Sequence, residues 1–385
     1  MRDFGQWPQY TPECRRDVDA LLKKGGSLSA YRANKDYGAG PAKDSWAWRL
    51  EREIERKFGV KHAVAVNSGT AGLHCAIHGT LGRPRSGADE VITSPYTFSA
   101  TASAILHAGY KPVFCDVDSE TFCITADTVK KAVTKRTAAI LPVDLFGRIA
   151  DTKPMRAFEV PIISDACQAV GANLKGLYSG AGADAGVYSF NGGKNVPAGE
   201  GGALVTNSDK IAEKARLLGN HACNFGTDWV GYNYRPNEVT CCIAWHGLRE
   251  LKERNDARID LAHTLKVETV MRLDIGEDRD KYVVLPHIMP GGHKAHAFYV
   301  FPFTVHGIDR AKFIKQLVEK GIPASGGYIT PPLHHYKAFR KYAKGPLPVV
   351  DELSFKTLCL LSHVRPPANE EDMIYTAKCI EEALR

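Results

Sequence analysis

The strongest constraint on this chain is an alternation that begins near residue 44, where helix-like stretches and short apolar runs take turns along the sequence. That order belongs to an α/β sheet with helices packed on its faces. Asp44 or Ser45 is placed to cap a helix whose apolar face is Trp46, Leu50, Ile54 and Phe58, and Gly59 is placed to end it. Strands are expected at 62–66, 90–93, 112–117, 138–143, 161–164, 186–190 and 203–206, mostly separated by helical stretches and forming one largely parallel sheet. A helical stretch near 211–218, a loop rich in Gly and Asn, and one long helix from about Asn237 past Arg254 follow. The expected division is an N-terminal segment 1–43, a large domain 44–255 and a smaller C-terminal α+β domain 256–385. The last holds mixed strands such as 297–305 and a closing helix near 370–384.

Composition narrows the class. With 44% hydrophobic and 24% charged residues over 385 positions, the chain is ordinary globular material, long enough for a large core and a second domain. No run reaches the roughly eighteen apolar residues of a membrane span, and the opening MRDFGQWPQY lacks the apolar stretch of a signal peptide, so a cytoplasmic protein is expected. The 10 cysteines are scattered, with no CxxC pair and no His spacing typical of zinc; reduced, mostly buried thiols and no metal are expected. The net charge of +7 suits a phosphorylated or nucleotide-linked substrate, but the basic residues form no block, so nucleic acid is not an expected partner.

Three segments carry chemistry. In GVYSFNGGKNVPAGEGG, Lys194 stands in a Gly-rich loop just after a buried strand. Gly-Gly-Lys is a common surface turn, but an amine shielded from water there can attack an aldehyde. In PIISDACQ, the apolar strand ends on Asp165. A carboxylate so placed either caps a helix, joins a buried ion pair, or faces a protonated ring nitrogen. In VNSGTAGLHCAIHG, a strand runs into Ser68, Gly69 and Thr70 at a helix start, which is either a plain cap or a cradle for phosphate. Ser189, just before the lysine loop, could add a hydroxyl to the same phosphate.

The order NSGTAGL, DEVITSPYTFSATASAI, PVFCDVD, AAILPVDLFG, SDACQAVGA, SFNGGKNVPAGEGG and GYNYRPNEV closely resembles the DegT/DnrJ/EryC1/StrS aminotransferases, strongly over about 46–255 and more loosely beyond. The resemblance implies the pyridoxal-phosphate (PLP) transferase fold of type I, like that of aspartate aminotransferase, and amination of a keto sugar or ketocyclitol by L-glutamate or L-glutamine. It implies Lys194 as the Schiff-base lysine, Asp165 on the pyridine nitrogen and Gln168 beside the ring's 3-hydroxyl. It also implies Gly69, Thr70 and Ser189 around the phosphate, and Phe98 stacked on the ring with Tyr96 as the alternative. Asn233 would reach the phosphate of the neighbouring subunit in a homodimer; Arg235 nearby reads equally as an interface or surface arginine. A lyase or dehydratase on the same fold and a non-catalytic regulator are the rivals, but Lys194 stands where related sugar dehydratases carry His. The stretch ADTKPMRAFEVPIISDA leaves room for little more than a helical turn before Asp165, and CCIAWHGLREL departs from the family at the subunit contact. The GGK spacing and GGYITPPLHHYKAF lean towards the branch acting on cyclitols and aminoshikimate-type precursors. His334, His335 and Tyr336 then lie either at the substrate mouth or on a solvent-facing loop.

Overall fold

A computed structural model describes residues 3–29, 40–222, 227–273, 281–286 and 295–385. The first expected helix forms as Trp46–Phe58. Ser45, not Asp44, caps it: the Ser45 hydroxyl accepts from the Trp48 N–H, and Gly59 closes the helix at φ 65°, a left-handed conformation that costs glycine nothing. Leu50, Ile54 and Phe58 are buried, and Trp46 lies edge-on to Trp245 at 5.6 Å.

The strands form at 62–66, 90–93, 111–114, 137–141, 163–165, 185–189 and 202–206. Hydrogen-bonded ladders join 62–66, 202–206, 185–189 and 163–165 in that order, and 111–114, 90–93 and 137–141 in a second set. Parallel bridges Ile140 to Ile162 and Val143 to Asp165 join the two sets into one sheet. Only 202–206 runs against its neighbours, so the sheet is mainly parallel, as expected. Because side chains alternate along each strand, the two faces bury different residues. Val64, Val91, Val187 and Leu204 meet helices Gly69–Leu81, Ser99–His107 and Asp209–Gly219 on one face. Ala63, Ala65, Tyr188 and Val205 pack against Trp46–Phe58 and Glu238–Arg249 on the other.

Two expectations need correction or completion. The long helix past Asn237 is two helices, Glu238–Arg249 and Leu251–Leu273, breaking at Glu250. The break lets Leu251 bury against Val170 and brings Asn255 close to Gly171; a Cβ on Gly171 would stand 2.7 Å from Asn255 Nδ2 and 2.9 Å from Leu251 Cδ2. The N-terminal segment also holds an unforeseen helix, Pro12–Lys24, fixed by an Asp17 to His246 contact at 2.9 Å. The trimmed stretch before Asp165 is one 3-10 turn, Pro154–Phe158, as its length predicts. Beyond it, antiparallel strands 282–284, 301–306, 358–361 and 324–325 carry helix Arg310–Glu319 and the closing helix Glu370–Leu384. The described cysteines are all free and mostly buried, and burial pushes thiols such as Cys75 up to about 12. Among the described residues, no helix is long and apolar enough to cross a membrane.

Candidate active site

Strand 202–206 pairs antiparallel with both 62–66 and 185–189, and 163–165 pairs parallel with 185–189. The ends of three strands therefore point the same way, and the segments holding Gly69, Asp165, Ser189 and Lys194 meet at one edge of the sheet. That edge, outside the carboxyl ends of parallel strands, is where α/β sheets bind ligands.

Ser68 caps the helix there, its hydroxyl accepting from the Ala71 N–H at 3.1 Å. A Cβ on Gly69 would stand 2.8 Å from Cys167 Sγ and 3.1 Å from Ser189 Cβ, and one on Gly202 2.9 Å from the Gly69 nitrogen. Helix start and strand ends can close up only because both positions are glycine. Thr70 follows half-buried, and Ser189 is buried with its hydroxyl accepting from the Asn191 N–H at 3.4 Å.

Asp165 is buried at its strand end. Its Oδ2 accepts from the Thr101 hydroxyl at 2.7 Å and Oδ1 from the Cys167 N–H at 3.3 Å. Turns, not a helix, follow it, and no ion pair to it occurs among the described residues, so neither the helix-cap nor the ion-pair reading fits. Behind it, burial pushes the Asp144 carboxyl up to about 7, against the bonds it accepts from Ala150 N–H at 2.9 Å and the Ser164 hydroxyl at 3.3 Å. Below pH 7 a protonated Asp144 adds no negative charge beside Asp165. Gln168 is buried, its Oε1 accepting from the Phe146 N–H at 3.0 Å.

The Lys194 amine lies 4.3 Å from the Tyr299 ring centre and makes no hydrogen bond or ion pair among the described residues. The next residue anchors the loop: Asn195 Nδ2 donates to Asn255 Oδ1 at 2.8 Å and to the Ala297 carbonyl at 2.9 Å, and Asn255 Nδ2 donates to the Val170 carbonyl at 3.0 Å. The lysine amine thus lies against the Tyr299 ring, on a fixed backbone.

Phe98 stands at the start of helix Ser99–His107 and is 60% exposed, whereas Tyr96 is 1% exposed and edge-on to Phe146, so Tyr96 is unavailable for stacking. Asn233 is exposed; its carbonyl accepts from the Asn67 side chain at 3.2 Å, next to Ser68 of its own chain. Arg235 donates to Asn220 Oδ1 at 2.6 Å. His334, His335 and Tyr336 follow a Leu333 N–H to Pro95 carbonyl bond of 3.0 Å, which sets them near the SPYTF loop.

Reading the sequence missed Thr101, Asn195, Tyr299 and Asp144. Thr101 and Asn195 had a local signal, one a helical turn past Thr97 and the other next to the lysine. Tyr299 had none, since it comes from the C-terminal third.

The family model for the DegT/DnrJ/EryC1/StrS aminotransferase family matches residues 40–381. A UDP-N-acetyl-3-dehydro-alpha-D-glucosamine 3-aminotransferase of Acidithiobacillus ferrooxidans is 34% identical, over 87% of this chain and 88% of its own. An aminotransferase from Psychrobacter cryohalolentis superposes with a TM-score of 0.85 at 25% identity, covering 99% of this chain and 98% of that one. A 3-amino-5-hydroxybenzoic acid (AHBA) synthase superposes with a TM-score of 0.83 at 27% identity, with 99% and 98% covered. With the family model spanning nearly the whole chain and the sheet edge built as described, this chain belongs to the DegT/DnrJ/EryC1/StrS aminotransferase family and is a PLP-dependent aminotransferase of fold type I.

Proposed function

We propose that this enzyme transfers the amino group of L-glutamate or L-glutamine to a polyhydroxylated cyclic ketone, a nucleotide-linked keto sugar or a ketocyclitol, by a ping-pong reaction in a homodimer. The observation that carries this reading is the Lys194 amine, over the Tyr299 ring with no hydrogen bond or ion pair among the described residues, on an anchored loop at the sheet end that also carries the buried Asp165 carboxylate. The residues fit the cofactor, because glycine at 69 lets the helix start, whose backbone N–H groups and dipole suit a phosphate, close up against Ser189. Lys194 would bind it covalently, Asp165 would face the ring nitrogen, Gln168 the 3-hydroxyl, and Phe98 the ring face. Gly69, Thr70 and Ser189 would hold the phosphate together with Asn233 of the partner subunit. When bound, the cofactor supplies an electron sink for negative charge on the reacting carbon.

Within this reading, Asp165 stabilises the protonated ring nitrogen, with the Thr101 hydroxyl holding its Oδ2 in place. Lys194, as a free amine, would move the proton at the substrate's reacting carbon. The relative that aminates a nucleotide sugar and the AHBA synthase neighbour both support a cyclic ketone acceptor. The test converts the holoenzyme with glutamate or glutamine to its aminated form and then offers nucleotide-linked keto sugars and ketocyclitols. Return of the starting spectrum with one of these is the expected result. Failure of both donors to change the spectrum would overturn the transaminase cycle proposed here.

A further inference from the structure

The C-terminal third holds a cluster to which the reading above gives no step of the reaction. His334 and His335 lie on the 3-10 turn Leu333–His335, and Asp351 on the short helix Pro348–Glu352. His334 Nε2 is 3.0 Å and His335 Nε2 2.7 Å from the same oxygen, Asp351 Oδ1. One ligand atom from each residue falls within 4.8 Å of the others. The His334 side chain is only 8% exposed; its Nε2 faces the Asp351 oxygen and its Nδ1 has no hydrogen-bond partner among the described residues. Two imidazole nitrogens thus converge on one carboxylate oxygen, an arrangement in which a cation can stand in place of the imidazole protons. His335 and Asp351 are 41% and 39% exposed, which gives an ion a path from solvent.

We propose that His334, His335 and Asp351 form a binding site for a late first-row divalent cation, Zn2+ or its Co2+ analogue, with water completing the coordination. Two imidazoles and one carboxylate are a ligand set these ions favour over Mg2+ or Ca2+. Zinc bonds of about 2.0–2.2 Å in a tetrahedral array set ligand atoms roughly 3.3 Å apart, so the present 2.7 and 3.0 Å separations need to open by only a few tenths of an ångström. The supports are fixed: the Leu333 N–H donates to the Pro95 carbonyl at 3.0 Å, and the N–H groups of Val349 and Val350 donate to the Asp116 carboxylate at 3.1 and 2.9 Å. A bound ion would tie the 333–336 turn to the helix carrying Asp351. The site does not depend on the donor or acceptor assigned above.

The test is equilibrium dialysis of the PLP-loaded, reduced protein against ZnCl2, with metal counted per chain, and visible spectroscopy with CoCl2. One zinc per chain is expected. Asp351→Asn and His335→Ala, changes at exposed positions with folding checked by circular dichroism, should each weaken binding by roughly ten- to a hundred-fold. The cobalt spectrum should lack a sulfur-to-metal charge-transfer band. Absence of stoichiometric zinc, binding unchanged in both variants, or a sulfur band placing the ion on a cysteine would each overturn the site.

Discussion

At the scale of single residues, two carboxylates differ by their surroundings. Asp165 accepts from Thr101 and the Cys167 N–H at the open edge of the sheet, while Asp144 lies deeper, bonded to Ala150 and Ser164. Asp165→Asn should still bind PLP but transaminate more slowly, because an amide cannot stabilise a protonated ring nitrogen. Losing a charge-assisted bond of about 1.5–3 kcal/mol in the transition state slows turnover by roughly ten- to two-hundred-fold; near-normal kcat in the variant would make this carboxylate structural. Asp144 gives a pH prediction. Burial raises its carboxyl to about 7, so between the ordinary carboxylate range and pH 7 the folded protein keeps a proton that the unfolded chain has released. The unfolded chain then binds fewer protons, and stability from this group, full at low pH, is lost as pH rises towards 7. Asp144→Asn, which stays neutral, should flatten the fall in Tm between pH 5 and pH 8. An identical slope in the variant would count against a protonated Asp144.

At the scale of elements, the lysine loop is positioned by contacts with segments far along the chain. Asn195 joins it to the helix Leu251–Leu273 through Asn255 and to the Ala297 carbonyl, and Asn255 reaches on to Val170. Asn195→Ala would leave Asn255 Oδ1 and the Ala297 carbonyl buried without this donor, at a cost of about 1–3 kcal/mol. Lower Tm and lower kcat are expected, with the cofactor still reducible onto Lys194 by borohydride. A variant whose kcat is unchanged would show that the loop holds its lysine without this anchor.

At the scale of the whole molecule, the proposal that Asn233 serves the partner's site makes a prediction about mixed dimers. Lys194→Ala and Asn233→Ala homodimers would each have two damaged sites, but a heterodimer would concentrate both lesions in one site and leave the other intact. Random mixing makes about half the dimers mixed, so about a quarter of all sites should be wild type. Co-expressed variants should therefore exceed the mean activity of the two homodimers. No excess would return Asn233 to its own subunit. The sequence by itself determined the elements of the large sheet, a cap at Asp44 or Ser45 and the stop at Gly59, the short turn before Asp165, and the family, because period, caps and turn glycines are local. It also singled out Lys194, Asp165 and Gly69, since each stands where a strand gives way to a loop or helix. Only the tertiary structure decided that Phe98 rather than Tyr96 is open to a ligand, that the helix breaks at Glu250, and that Tyr299, Asn255 and Thr101 surround the lysine and the acid. These depend on which distant segments pack together, and burial and close approach across such contacts leave no periodic trace in the chain.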